Sequence, residues 1–170
     1  VTRALRSNER DGEKYHFISR EAFLQLVEQD EMLEYAEYCG NYYGTPRGPI
    51  EQWLSQGRDV IVEVDVQGAA SIRSKMPEAV LIFVMPPSME VLKKRLIGRQ
   101  TEEEEVALRR LHAAVREIEC AKRYDYIVVN DELECAVGLF EAIIDSEKAK
   151  TAHMMNLIDE VLQDAEPEYR

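Results

Sequence analysis

Three short apolar runs, each followed by a helical stretch, set the narrowest limits on what this chain can become. Val60-Ile61-Val62-Glu63-Val64, Val80-Leu81-Ile82-Phe83-Val84 and Ile127-Val128-Val129 are nearly unbroken. Strands read this way when helices cover both faces of a parallel sheet, whereas a half-solvated antiparallel sheet alternates. Helical patterns over residues 50–56, 68–76, 88–99, 102–123 and 132–146 separate and follow them. Strand–helix alternation of this kind predicts an α/β doubly wound core, whose ligands sit at the carboxyl ends of the strands. Those ends are polar here: Glu63 and Asp65 close the first run, and Asn130-Asp131 close the last.

Before Thr45-Pro46 the character differs. Residues 15–18 read as a strand, 21–29 as a short helix, and 32–43 as a Tyr-rich strand pair turning near Cys39-Gly40-Asn41. The expected organisation is a small mixed lobe over 1–46 and an α/β core over 47–170. With 170 residues and 45% hydrophobic content, the chain can bury a core. Acidic residues outnumber basic ones 33 to 21. The resulting charge of −12 argues against nucleic acid or an anionic membrane as partner, though a few focused arginines can still hold a small phosphate. No apolar run approaches the roughly 20 residues of a membrane span, and no signal peptide opens the chain, so a cytoplasmic location is expected. Cys39, Cys120 and Cys135 form no CxxC pair and read as reduced, mostly buried thiols. The opening Val1-Thr2-Arg3 has no initiator Met, so a segment upstream is expected.

Charge placed against its surroundings marks the chemistry. Arg3 and Arg6 are three apart and Tyr15 follows nine residues later, a set able to gather two guanidinium forks and a phenol around one phosphate or to remain a solvated surface. Glu34 lies in the strand Met32-Leu33-Glu34-Tyr35-Ala36, where alternation puts it on the face of Met32 and Ala36; it is either a carboxylate on a partly apolar face that needs a partner or a surface glutamate on an edge strand. Asn41-Tyr42-Tyr43-Gly44-Thr45-Pro46 has the composition of a binding loop or of a purely structural tyrosine corner. Arg95 and Arg99 share a helical face, and Arg110 returns on the next helix after a turn at 98–101, with Thr101 as its expected N-cap. This is either a charged hairpin or a lid around 95–112 whose arginines close over phosphates.

In order along the chain, Thr2-Arg3-Ala4-Leu5-Arg6, Tyr15-His16-Phe17, Met32-Leu33-Glu34-Tyr35, Gly40-Asn41-Tyr42-Tyr43-Gly44-Thr45, Glu63-Val64-Asp65-Val66-Gln67-Gly68, Phe83-Val84-Met85-Pro86-Pro87-Ser88, Arg95-Leu96-Ile97-Gly98-Arg99 and Val128-Val129-Asn130-Asp131 resemble the guanylate kinase family. The resemblance implies a P-loop nucleoside-monophosphate-kinase-like parallel sheet flanked by helices, with a small mixed α/β GMP-binding lobe and a helical lid. It implies that Arg3, Arg6, Tyr15 and Tyr43 hold the GMP phosphate and that Glu34, Thr45 and Asp65 read or position guanine. Arg95, Arg99 and Arg110 would be lid arginines facing the ATP phosphates, Asn130 would lie near the adenine, and Glu63 would reach Mg²⁺, brought with ATP, through water. Leu5 stands where the family usually has Pro, and Gln100 where Gly usually follows Arg99; neither change removes a ligand group.

No GxxxxGK[ST] loop occurs in the 170 residues, and the activity implied, transfer of the γ-phosphoryl of ATP to GMP, is conditional on it. The rival is a non-catalytic guanylate-kinase-like interaction module, in which the GMP-reading and lid positions tend to be degraded; here they are intact. A kinase for another nucleoside monophosphate is disfavoured by Glu34. Met154, Leu157, Ile158, Val161 and Leu162 predict an amphipathic C-terminal helix. Docking on its own domain is expected, with monomer and homodimer both open.

Overall fold

The computed structural model describes residues 1–7, 9–97 and 104–163, without the side chains of 97 and 104–108. It divides into two compact units, Val1–Ala79 and Val80–Arg170, each considered by itself.

The first unit is built on a hairpin. β1 (Met32–Tyr38) and β2 (Asn41–Pro46) pair antiparallel, with Tyr38 opposite Asn41. The two residues between them, Cys39 and Gly40, both have positive φ, +49° and +74°. That is the tight hairpin turn whose twist matches the strands, and Gly40 adopts it at no steric cost. Opposed residues share a face. Glu34 with Thr45 and Ala36 with Tyr43 therefore lie on one side, and Tyr35 with Gly44 and Glu37 with Tyr42 on the other. The second side is structural. Helix α1 (Arg20–Glu28), capped by Ser19 Oγ accepting from the Ala22 N–H at 3.1 Å, presents the buried Phe23 to Tyr35 and Tyr42. α2 (Arg47–Ser55) follows β2, and α3 (Val66–Lys75) packs on β1. Leu33, Ile50 and Ile72 form the core beneath, joined by Val60, Val62 and Val64.

The second unit carries the parallel pairing that the apolar runs predict. β3 (Ile82–Met85) lies beside β4 (Tyr126–Val129) with Ile82 opposite Tyr126 and Met85 opposite Val129. The chain crosses between them through α4 (Met89–Ile97) and α5 (Glu104–Cys120). Ser88 Oγ accepts from the Val91 N–H at 3.2 Å and so starts α4. α6 (Leu133–Lys148) covers β4 by setting Ala136 and Ile143 against Val128. α7 (Met155–Gln163) ends the described chain. No helix among the described residues is long and apolar enough to cross a membrane.

Several expectations are corrected. Residues 59–65 carry no ladder among the described residues. The segment still alternates, because Val60, Val62 and Val64 pack on the core while Ile61 is 69% exposed. Among the described residues Val84, Ile127 and Val129 are exposed. Residues 15–18 are likewise not a strand beyond an isolated bridge from Asp11 to Tyr15. Their amides find separate partners, Phe17 N–H donating to Asp11 Oδ1 at 2.8 Å and Ile18 N–H to the Val1 carbonyl at 3.0 Å. Alternation fails at the start of β1, where Met32 and Leu33 are both buried and the register shifts before Glu34. Finally, Leu157, Ile158 and Val161 on α7 are exposed, and Cys39 and Cys135 are exposed with Cys120 half-buried; Cys39 lies at the hairpin tip and Cys135 on the solvent side of the first turn of α6.

Leu33 is 1% exposed at the centre of the first core. Leu33→Ala is expected to cost about 2–5 kcal/mol in denaturant unfolding, while Tyr38→Ala at the solvated hairpin end stays within about 1 kcal/mol. Equal losses for the two would contradict the packing described.

Candidate functional site

The hairpin register places a hydroxyl opposite a carboxylate. Thr45 Oγ1 donates to Glu34 Oε1 at 2.6 Å across β1 and β2. The other carboxylate oxygen faces the first turn of α3. A methyl added at Gly68 would stand 3.2 Å from Glu34 Oε2 and 3.0 Å from Val64 Cβ, so the absence of a side chain leaves Glu34 its room. Gly44 is constrained more severely, because a Cβ there would meet the Glu34 carbonyl oxygen at 2.6 Å. Asp65 caps the same helix, its Oδ1 accepting from the Gln67 N–H at 3.0 Å and the Gly68 N–H at 2.8 Å. Glu34, Thr45 and Asp65 are thus gathered around Gly68, at a helix start whose partial positive charge favours carboxylates. Their side chains bring hydrogen-bond acceptors together at this point.

A second cluster lies in the same unit. Arg3 donates to Glu9 in bidentate fashion, Nη1 to Oε2 at 2.7 Å and Nη2 to Oε1 at 2.6 Å. Glu9 Oε2 also accepts from the Arg6 backbone N–H at 3.0 Å. The Arg3 guanidinium sits 5.4 Å from the Tyr15 ring centroid and 5.2 Å from that of Phe17. Tyr15 meets Tyr43 edge to face with centroids 6.4 Å apart. These contacts border a cavity of about 240 Å³ lined by Arg6, Glu9, Arg10, Lys14, Tyr15 and Phe17 among others. The hydrogen bonds from Arg3, then that from the Arg6 amide, hold the Glu9 carboxyl at about 2, below its ordinary 4.5. Arg3 is raised in return, chiefly by Glu9 and less by the Tyr43 phenol. Arg3, Arg6, Tyr15 and Tyr43, far apart in sequence, are brought together.

In the second unit Arg95 reaches the end of β4, donating from Nη1 to the Asn130 carbonyl at 2.7 Å and from Nη2 to the Asp131 carbonyl at 3.3 Å. Asn130 is itself fixed by its N–H donating to the Met85 carbonyl at 2.8 Å. Arg95 and Asn130 therefore adjoin at the carboxyl ends of the parallel strands. Arg110 is exposed on α5. Arg99 and the turn at 98–101 with its Thr101 cap lie outside the described residues. Among the described residues no group of three His, Cys, Asp or Glu could hold a metal ion. Glu63 is exposed two residues before the capping Asp65.

The family model of guanylate kinase matches residues 1–147. The chain belongs to the guanylate kinase family. It is 46% identical over 163 residues to a guanylate kinase of Halalkalibacterium halodurans, covering 96% of this chain and 80% of that protein. A guanylate kinase of Desulfitobacterium hafniense is 49% identical over 150 residues, covering 88% of this chain and 75% of its own length. The crystal structure of guanylate kinase from Anaplasma phagocytophilum matches with a TM-score of 0.71 and 37% identity, over 89% of this chain and 74% of that one. These matches establish the nucleoside-monophosphate-kinase-like α/β fold, of which β3 and β4 with their helices are the parallel part.

Sequence reasoning missed Glu9, Arg10 and Lys14. The signal was present: Glu9 follows Arg6 by three in a segment with no helical or strand period, where a carboxylate has only turn partners to bind. It also missed Gly68 as the residue that makes space beside Glu34, because the helix that holds it disguises a close approach.

A carboxyl held below its unfolded value stabilises the fold above that value and ceases to as it protonates. The Glu9 contribution is accordingly present above about pH 4.5 and lost as pH falls toward about 2. Melting temperatures of the parent and Glu9→Gln should converge across that window. A difference that stays constant through it would contradict the assignment.

Proposed function

We propose that this chain carries out phosphoryl transfer from ATP to GMP, giving ADP and GDP. The observation that carries this reading is the Glu34–Thr45 pair held beside the Asp65-capped start of α3. Guanine offers N1–H and an exocyclic amino group side by side, and a carboxylate accepts from both; adenine offers an acceptor in the first place. The Thr45 hydroxyl holds Glu34 in one orientation by occupying Oε1, and Asp65 adds a second carboxylate. The relatives at 46% and 49% identity are named guanylate kinase, which supports the same activity.

Arg3, Arg6, Tyr15 and Tyr43 take the GMP phosphate in this reading, using charge-assisted hydrogen bonds in a cavity where an acidic protein concentrates its cations. A phosphate oxygen of GMP attacks the γ-phosphorus of ATP, and the bond to the departing ADP breaks. Arg95, Arg99 and Arg110 offset the charge on the ATP phosphates, and Asn130 lies beside the adenine. ATP enters as its Mg²⁺ complex, and the described residues contribute Glu63 alone toward that ion, through water. No GxxxxGK[ST] occurs in the 170 residues, so turnover is conditional on such a loop and is to be assayed on the protein that carries it. Residues 1–46 act as the GMP lobe, 47–170 as the core and about 95–112 as the lid, in a cytoplasmic protein.

ADP release should depend on GMP and not on AMP. Absence of GMP-dependent ADP release would overturn the reading. Glu34→Gln places an amide against the guanine donors and is expected to lower the GMP-to-AMP ratio of kcat/KM by roughly 100-fold or more. A parental ratio would mean that guanine is read elsewhere. Arg110→Ala should lower kcat by about 10²- to 10⁵-fold with KM for GMP near parental, and a parental kcat would assign Arg110 to the helix surface alone.

A further inference from the structure

Glu9 is the carboxylate around which the phosphate-side residues are arranged. A guanidinium has five N–H donors in a planar fork. Three of those on Arg3 are held on one side, with Nη1 donating to Glu9 Oε2 and to the Ala4 carbonyl at 3.0 Å, and Nη2 donating to Glu9 Oε1. That end-on grip does not use Nε–H and the second Nη2–H, which point in parallel along the other edge, and the Tyr43 phenol also interacts with this guanidinium. Such an edge is the bidentate geometry phosphate oxygens accept. The guanidinium carbon lies 5.4 Å from the Tyr15 ring centroid and 5.2 Å from that of Phe17, so Glu9 and the two rings together restrict where the group can sit. The same Glu9 carboxylate ties the Arg6 backbone and lines the cavity that Arg6 and Tyr15 share.

We propose that Glu9 is a positioning residue of the phosphate site, clamping Arg3 end-on and Arg6 by its backbone so that both guanidinium groups are set for the GMP phosphate. It rests on the assignment of Arg3 and Arg6 to that phosphate. The competing role for such a carboxylate is to occupy Arg3 in place of the phosphate and leave when GMP binds. The geometry favours clamping. Glu9 does not occupy the side-on edge, and its side chain is 16% exposed against 12% for Arg3, so leaving would strand a largely buried charge.

Calorimetry with GMP and with guanosine, which lacks the phosphate, separates the outcomes. Glu9→Gln and Glu9→Asp, each verified as folded by its melting transition, are expected to weaken GMP by about tenfold or more while guanosine affinity and KM for ATP stay within about twofold. Unchanged GMP affinity in both variants overturns the proposal. So does a parallel loss of GMP and guanosine, which marks a purely structural role, and so does tighter GMP binding, which marks a competitor. A parent that binds GMP no better than guanosine would refute the underlying phosphate assignment instead, and is read from the parent alone. In the parent, NMR requires no variant: GMP, but not guanosine, should shift the Arg3 Nε–H resonance while the Glu9 carboxyl carbon stays in place. A Glu9 signal that moves to a solvent-like position on GMP addition would show displacement and overturn the clamp.

Discussion

The register of one hairpin governs the first unit. Two residues at positive φ close the turn between Tyr38 and Asn41, and each cross-strand pair follows from that closure. A slip of one residue would exchange the two faces. Thr45 would leave Glu34, Tyr43 would turn away from Tyr15, and Phe23 would lose the rings on which α1 is seated. The polar and the packed sides of the hairpin are therefore one specification. The aromatic contacts of Phe23 with Tyr35 and Tyr42 fix the register energetically, and the chemistry of Glu34 and Thr45 inherits it.

Anion binding by a chain of net charge −12 poses a related problem, since the overall field repels phosphate. At the proposed phosphate site the answer is local. Arg6, Arg10 and Lys14 line one cavity, while Glu9 is committed to Arg3 and Glu13 lies 3.6 Å from Arg10 in an exposed pair. Charge is organised more than accumulated there: the half-buried Glu9 carboxylate holds one guanidinium, and the rings of Tyr15 and Phe17 lie beside it without adding negative charge. An arginine fixed in advance loses less freedom on binding than a solvated one.

Local pattern and long-range consequence were unequally legible. Helices α1 to α6, the hairpin and the β3 and β4 runs declare themselves by periodicity, caps and turn residues, since a few neighbours decide them. The segment 59–65 carries equally strong strand composition, yet pairing is a property of two segments, and its apolar pattern speaks for only one. Site residues behaved the same way. Glu34 and Thr45 were visible as chemistry, but their hydrogen bond depends on the register set by the turn at Cys39 and Gly40, which neither residue announces by itself. Glu9 sits in a stretch with no period at all, and its meaning comes from the two arginines that fold back on it. The family resemblance supplied roles that spacing alone left open between a binding site and a solvated surface.

The parallel pair in the second unit shows why position at a strand end matters more than residue type. Arg95 is one cation among several on α4, beside Lys93 and Lys94. Lys94 pairs with Glu90 one turn earlier, an exposed contact of little consequence. Arg95 instead reaches the carbonyls of Asn130 and Asp131, because α4 starts directly after β3 and β4 ends level with it. Backbone carbonyls at the carboxyl end of a parallel strand have no next residue in the ladder to satisfy them. A guanidinium with donors at fixed angles can bridge two such carbonyls, where a lysine would offer a point charge. The same edge of the sheet that leaves acceptors unpaired is where a doubly wound fold receives its ligands. Arg95 thus joins the end of β4 to the start of the crossover, and Asn130 is held between that grip and the Met85 carbonyl.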